Sequence, residues 1–175
     1  MKKRATALLL SLMVCAPAHA DRAPYTLQLL DDIKQEGMTL YFEATSDTSH
    51  HFSHGHHAPH SDPDKVKSGF HLFEILLSWL SEHDDETSFE TVQGIGQEGT
   101  IHTVGAEMTR VIEKAFGRDM LVCISELEPT EFARAYMFGN ETLPEGQRGP
   151  DFSAETRLTI RQISENPGSG LACAL

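Results

Sequence analysis

Asp62-Pro63-Asp64, followed by Val66, Phe70, Phe73, Leu77 and Leu80, is the pattern that most limits what this chain can fold into. The apolar residues recur at four-three-four-three spacing, which puts them on one stripe of an α-helix and on neither face of a strand. Asp62 suits the N-cap, Pro63 the first helical position, and Asp64 the positive end of the helix dipole. Leu72, Leu76 and Trp79 widen the stripe, while His71, Glu74 and Ser78 fall outside it. A helix this apolar must be covered by other elements, so it is expected to dominate a single core.

Two more helices are predicted. "TLQLLDDIKQEG" carries Leu27, Leu30 and Ile33 on one face, with Gly37 where a C′ residue belongs. Residues 100–116 present Ile101, Val104, Met108, Val111, Ala115 and Phe116 together and stop at Gly117. The intervening "MTLYFEAT" alternates Leu40, Phe42 and Ala44 against Thr39, Tyr41 and Glu43, which reads as a strand. A hairpin over residues 25–45 is the rival assignment. "DMLVCISELE" and "FARAYMFGN" flank Pro129 as a hairpin, with Phe132, Tyr136 and Phe138 on one sheet face. "ETRLTIRQIS" adds another alternating segment. The expected fold class is therefore α+β: one domain, an antiparallel sheet of about four strands, and two or three helices packed on it.

The N-terminus resembles a bacterial secretory signal. Lys2, Lys3 and Arg4 precede the apolar Ala7–Val14, and Ala18-His19-Ala20 offers a small-x-small cleavage site. Residues 1–20 are read as a leader, 21–175 as the domain, and the periplasm as the destination. "LMVC" offers a competing lipid attachment at Cys15, for which Val14 is a poor fit. No other stretch reaches the ~18 consecutive apolar residues of a membrane span. Loss of three positive charges and no negative one takes the formal charge from −12 to −15. A nucleic-acid partner is not expected, because that function needs a basic face. Cys123 and Cys173 remain, and an oxidising compartment favours a bridge between them over two unpaired thiols. It would close a loop of about 50 residues and contribute about 4 kcal/mol.

The candidate site is "HHFSHGHHAPH", which holds six of the ten histidines. Flanked by Ser, Thr and Asp and lacking periodicity, residues of about 46–62 read as a disordered loop. His50, His51, His54, His56, His57 and His60 could gather three or four imidazoles round one ion, zinc first, with copper or nickel as alternatives. His71 and Glu74, at i, i+3 on the next helix, could join them. The segment resembles the His-rich loops of periplasmic zinc-binding proteins and metal-transporter accessories, which implies metal binding, buffering or delivery to a transporter or client protein. That likeness spans only about eleven low-complexity residues.

Sharper signatures are missing. No HExxH occurs, and "HGHHAPH" has Ala58 where the HxHxDH pattern of metallo-β-lactamase-like hydrolases needs aspartate. "GIGQEG" matches GxGxxG, but "SFETVQ" before it lacks the apolar run of a buried parallel strand, so Gly94–Gly99 read as a connection. "EHDDE" reads as a solvated helix end, and His102 as an exposed first-turn residue. The leading expectation is a periplasmic zinc-binding, buffering or delivery protein. The second is a periplasmic interaction or inhibitor protein with the histidines incidental. The third is a metal-dependent hydrolase built from the loop plus His71 or His102.

Overall fold

A computed structural model describes residues 23–45, 62–96 and 99–164. Seven helices follow in order: α1 Pro24–Thr45, α2 Pro63–Glu82, α3 Glu86–Gly96, α4 Thr100–Phe116, α5 Arg118–Ser125, α6 Pro129–Thr142 and α7 Ala154–Ile163. A single 3-10 turn, Glu145–Gln147, joins α6 to α7. Among the described residues there is no strand, so the expected α+β fold with an antiparallel sheet is overturned. The residues of the leader, the histidine segment and Cys173 lie outside the described ones. Cys123 sits half-buried on α5.

The helix that opened the sequence argument forms as expected. Val66, Phe70, Phe73, Leu77 and Leu80 are all buried, Pro63 begins α2, and Asp62 accepts the Asp64 N–H at 3.0 Å. α4 also has its predicted limits. Gly117 ends it with φ +87°, a left-handed value open to glycine, and donates its N–H to Glu113 O at 2.7 Å. Val104, Met108, Val111 and Ile112 on α4 have no exposed surface, because α1, α2, α5 and α6 all pack around this helix.

The expected strands fail because a local alternation of apolar residues also satisfies helical spacing. In α1 the buried set Leu29, Leu30, Ile33, Gly37, Met38 and Tyr41 runs at helical period straight through "MTLYFEAT", leaving Leu40 exposed. Gly37 is not a terminator. A Cβ built on it would lie 2.1 Å from the Gly105 carbonyl carbon, and one on Gly105 would lie 2.1 Å from Ile33 O. The two glycines let α1 and α4 cross with their backbones touching.

Pro129, read as a hairpin turn, stands at the first position of α6 instead, where its missing N–H costs nothing. On α6 Phe132 and Tyr136 are buried as an i, i+4 pair, while Phe138, assigned to the same sheet face, points outward at 47% exposure. On α5 Met120, Leu121 and Ile124 are buried and Val122 is exposed. On α7 Thr156 and Ile160 are buried, Leu158 is exposed, and Ser153 caps the Thr156 N–H at 3.1 Å.

"EHDDE" does more than terminate α2. Asp84 Oδ1 accepts the N–H groups of Tyr25 at 3.0 Å and Thr26 at 2.9 Å, capping α1 from nearly sixty residues away. Asp85 takes the Ser88 N–H at 2.9 Å and its hydroxyl at 3.0 Å at the start of α3. Those bonds hold its carboxyl below the ordinary aspartate range. His83 closes α2 by placing Nδ1 3.0 Å from Trp79 O and stacking on that indole. The GxGxxG match follows no strand: Gly94 and Gly96 belong to α3 and Gly99 precedes α4 with φ +94°. The arrangement a dinucleotide fold requires is therefore not made.

Candidate functional site

Residues of α2 and α4 line a cleft of about 1160 Å³. Lys67, His71 and Glu74 line one side at i, i+4, i+7 of α2; Glu107, Arg110, Glu113 and Lys114 line the other from α4. Tyr41 from α1 closes one end. Residues 146–151, the strap between α6 and α7, form the remaining wall. Pro63 adds an exposed apolar contact, and the largely buried Val66 and Phe70 lie beneath. The volume exceeds that of an ordinary small-molecule pocket and suits several residues of an extended chain.

The strap is fixed from below by α6. Buried Asn140 accepts the Gly149 N–H at 2.7 Å and donates to Gly149 O at 3.1 Å and Asp151 Oδ1 at 2.8 Å. The Tyr136 hydroxyl donates to Pro150 O, and burial drives that phenol's pKa well upward. Gly149 has no room for a side chain: an added Cβ would stand 2.8 Å from the Tyr136 hydroxyl oxygen and 3.0 Å from Glu107 Oε1.

Each carboxylate in the cleft is engaged. Glu107 receives Arg110 through two bonds of 2.7 Å, and that pairing raises the guanidinium's already high pKa. Arg110 also reaches Gln147 O at 3.2 Å, tying α4 to the strap. Glu113 accepts the Tyr41 hydroxyl at 2.5 Å and Arg118 at 3.3 Å. Glu74 accepts the Ser153 N–H at 2.6 Å, and Asp151 lies 3.5 Å from Arg157.

Burial first, then the bond to Glu113, pushes Tyr41 up to about 12. An unfolded tyrosine ionises near 10, whereas the folded one keeps its proton until about 12. The stabilisation is therefore complete below pH 10 and is lost as pH rises from 10 to 12. Denaturant unfolding between pH 9 and 12 should show a steeper fall for the wild type than for Tyr41→Phe. Equal slopes would mean that the phenol is not held.

Of the histidines singled out in the sequence, His71 is on the cleft wall, exposed. Its expected partner Glu74 turns instead to the α7 cap. His102 is not among the residues lining the cleft; its Nδ1 lies 3.5 Å from Glu36 Oε2 on the α1 side. His50, His51, His54, His56, His57 and His60 lie outside the described residues. Sequence reasoning missed Lys67, Arg110, Lys114 and the strap. The Glu107-Arg110 spacing of i, i+3 was a readable sign of a charged helix face, but "LPEGQRGP" gave no sign of walling a site.

A family model described as "Putative zinc dependent peptidase (DUF5700)" matches residues 17–138. No curated protein and no solved structure matches the chain. The description names zinc, as the histidines had suggested, and says nothing of copper or nickel. It speaks of a peptidase, so zinc buffering and delivery gives way as the leading reading, and the hydrolase class gains. The described residues do not themselves fit a zinc ion. Among them no group of three or more His, Cys, Asp or Glu side chains could hold a metal. Each of the cleft's carboxylates already accepts at least one bond from an Arg, Tyr, Asn or backbone donor, and HExxH is absent from the whole sequence.

Proposed function

The chain belongs to that family, and on this premise we propose that the cleft between α2, α4 and the strap binds peptide, the substrate class of a peptidase. The observation that carries this reading is the cleft's size and lining, about 1160 Å³ walled mainly by polar and charged side chains of α2 and α4 and by the strap. An extended peptide offers backbone amides and polar side chains to such walls. Fluorescence anisotropy of labelled hexapeptides tests it. Saturable binding that fails in His71→Trp, which fills the cleft from an exposed position of its wall, with α-helical content intact, is expected. Absence of binding by every peptide in a mixed-sequence panel would refute it.

A second reading, zinc-dependent hydrolysis, is favoured by the placement of the histidine segment. It leads directly into α2 at Pro63, a cleft residue, and His60 stands two positions before Asp62. Two residues of chain reach at most about 7 Å. In this reading the segment's histidines, with His71, supply the metal ligands. Replacing His54, His56, His57 and His60 by alanine is then expected to abolish both zinc uptake, read by elemental analysis, and zinc-stimulated peptide cleavage. Uptake should also vanish as pH falls through about 6, where protons occupy the same nitrogens. Unchanged uptake in the quadruple variant would sink this reading and leave peptide binding untouched. Export to the periplasm and the Cys123–Cys173 bridge belong to the same proposal, since an oxidising compartment favours pairing of two thiols in a secreted chain.

A further inference from the structure

Resting on the peptide-binding reading, we infer that the cleft selects acidic peptides, with Lys67, His71 and Lys114 as the groups that meet their carboxylates. The chain as a whole is strongly acidic, with 26 Asp and Glu against 14 Lys and Arg. Inside the cleft the formal charges balance, Lys67, Arg110, Lys114 and Arg148 against Glu74, Glu107, Glu113 and Asp151, but the two signs differ in how they are engaged. Glu74, Glu107, Glu113 and Asp151 all accept hydrogen bonds from the protein itself. Lys67, His71 and Lys114 line the same space, are exposed, and have no hydrogen bond or ion pair among the described residues.

The asymmetry follows from the helix registers. On α4, Arg110 sits one turn from Glu107 and is consumed by it, while Lys114 lies one further turn along, beyond reach of a partner. On α2, Lys67 and His71 are one turn apart on the face opposite α4. Glu74, three positions from His71, turns one oxygen to the Ser153 N–H at 2.6 Å and makes no ion pair with either. A ligand entering the cleft thus meets donors without partners on both long walls, whereas each carboxylate already accepts at least one bond. Donors left without acceptors when water is displaced are costly, so the ligand must bring acceptors, and charged ones bind best. The acidic surface elsewhere on the protein disfavours the same peptide at other sites, which sharpens the selection.

The test uses the full chain and three N-acetylated hexapeptides. One carries three Glu residues and a C-terminal amide, the second has Gln in place of each Glu, and the third is the Gln peptide with a free C-terminus. The Glu peptide is expected to bind at least about tenfold more tightly than the Gln peptide at low salt, with the advantage shrinking as salt screens it. In the Lys67→Gln, Lys114→Gln double variant the ratio should collapse to within about twofold. A preference shown only by the free-C-terminus peptide would overturn side-chain selection in favour of terminal capture. Equal binding of the Glu and Gln peptides would overturn the inference while leaving peptide binding standing. A ratio that survives in the double variant would overturn the residue assignment. Failure of all three peptides to bind would remove the underlying reading as well.

Discussion

Gly37→Ala is expected to lower the unfolding free energy by about 3 kcal/mol, at the upper end of what overpacking a core costs. The added methyl would fall 2.1 Å from the Gly105 carbonyl carbon and 2.2 Å from its Cα, and both are backbone atoms that cannot rotate away. Relief requires α1 and α4 to separate. That would loosen Ile33, Met38, Val104 and Met108 together, all of them buried at this crossing. For a domain of this size the melting temperature should drop by roughly 6–12 °C. Gly105→Ala should do comparable damage against Ile33 O. Gly94→Ala is the internal control: it lies in α3 with nothing within 4 Å, so a stabilisation of about 0.5–1 kcal/mol is expected. Equal stability of Gly37→Ala and wild type by chemical denaturation would mean that the two helices do not cross at this distance.

Asn140→Ala should cost about 2–3 kcal/mol and weaken peptide binding at the same time. The side chain is 1% exposed and makes three hydrogen bonds to the strap, of 2.7, 3.1 and 2.8 Å. Truncation strands the Gly149 N–H and carbonyl over a buried floor, and unpaired groups there carry their desolvation penalty. The strap walls the cleft and receives Arg110 through Gln147 O at 3.2 Å, so releasing it also removes that bond, while the Glu107–Arg110 pair within α4 stays. Denaturant unfolding and peptide anisotropy on the same variant check the two effects. Lost stability with unchanged affinity would show that the strap supports the fold but not the site.

The pattern of success along the chain has a physical basis. α2 and α4 were legible because each carries an apolar stripe over four or more turns, too long for any strand pattern to imitate, and each has a terminator or cap of defined chemistry. α5, α6 and α7 are 8, 14 and 10 residues long. Over such spans Phe132 and Tyr136 satisfy both a two-residue and a 3.6-residue period, and aromatic or β-branched content tilts the reading toward strand. The tie is broken by what each segment packs on. Gly37 shows the same dependence: its sequence context suits a helix end, and only the partner glycine on α4 explains its place inside α1.

The candidate site divides in the same way. Histidine density drew attention to residues 50–60 because composition can be counted in one dimension. The cleft has no such mark, since Tyr41, Lys67, Arg110 and Asp151 are scattered through more than a hundred positions. Asp84 looked like one charge in a run, yet it caps a helix nearly sixty residues before it.

By itself the sequence determined the two long helices, their caps and the buried stripe that forces a single core, because those depend on spacing within a few turns. It also determined the excess of acid over base. The all-helical character of the last third, the α1–α4 crossing and the pairing that leaves Lys67 and Lys114 without partners in the cleft were decided by tertiary structure. Each of these depends on which distant backbone or side chain a residue meets, and hydrophobic burial and hydrogen-bond satisfaction are settled between helices rather than along one.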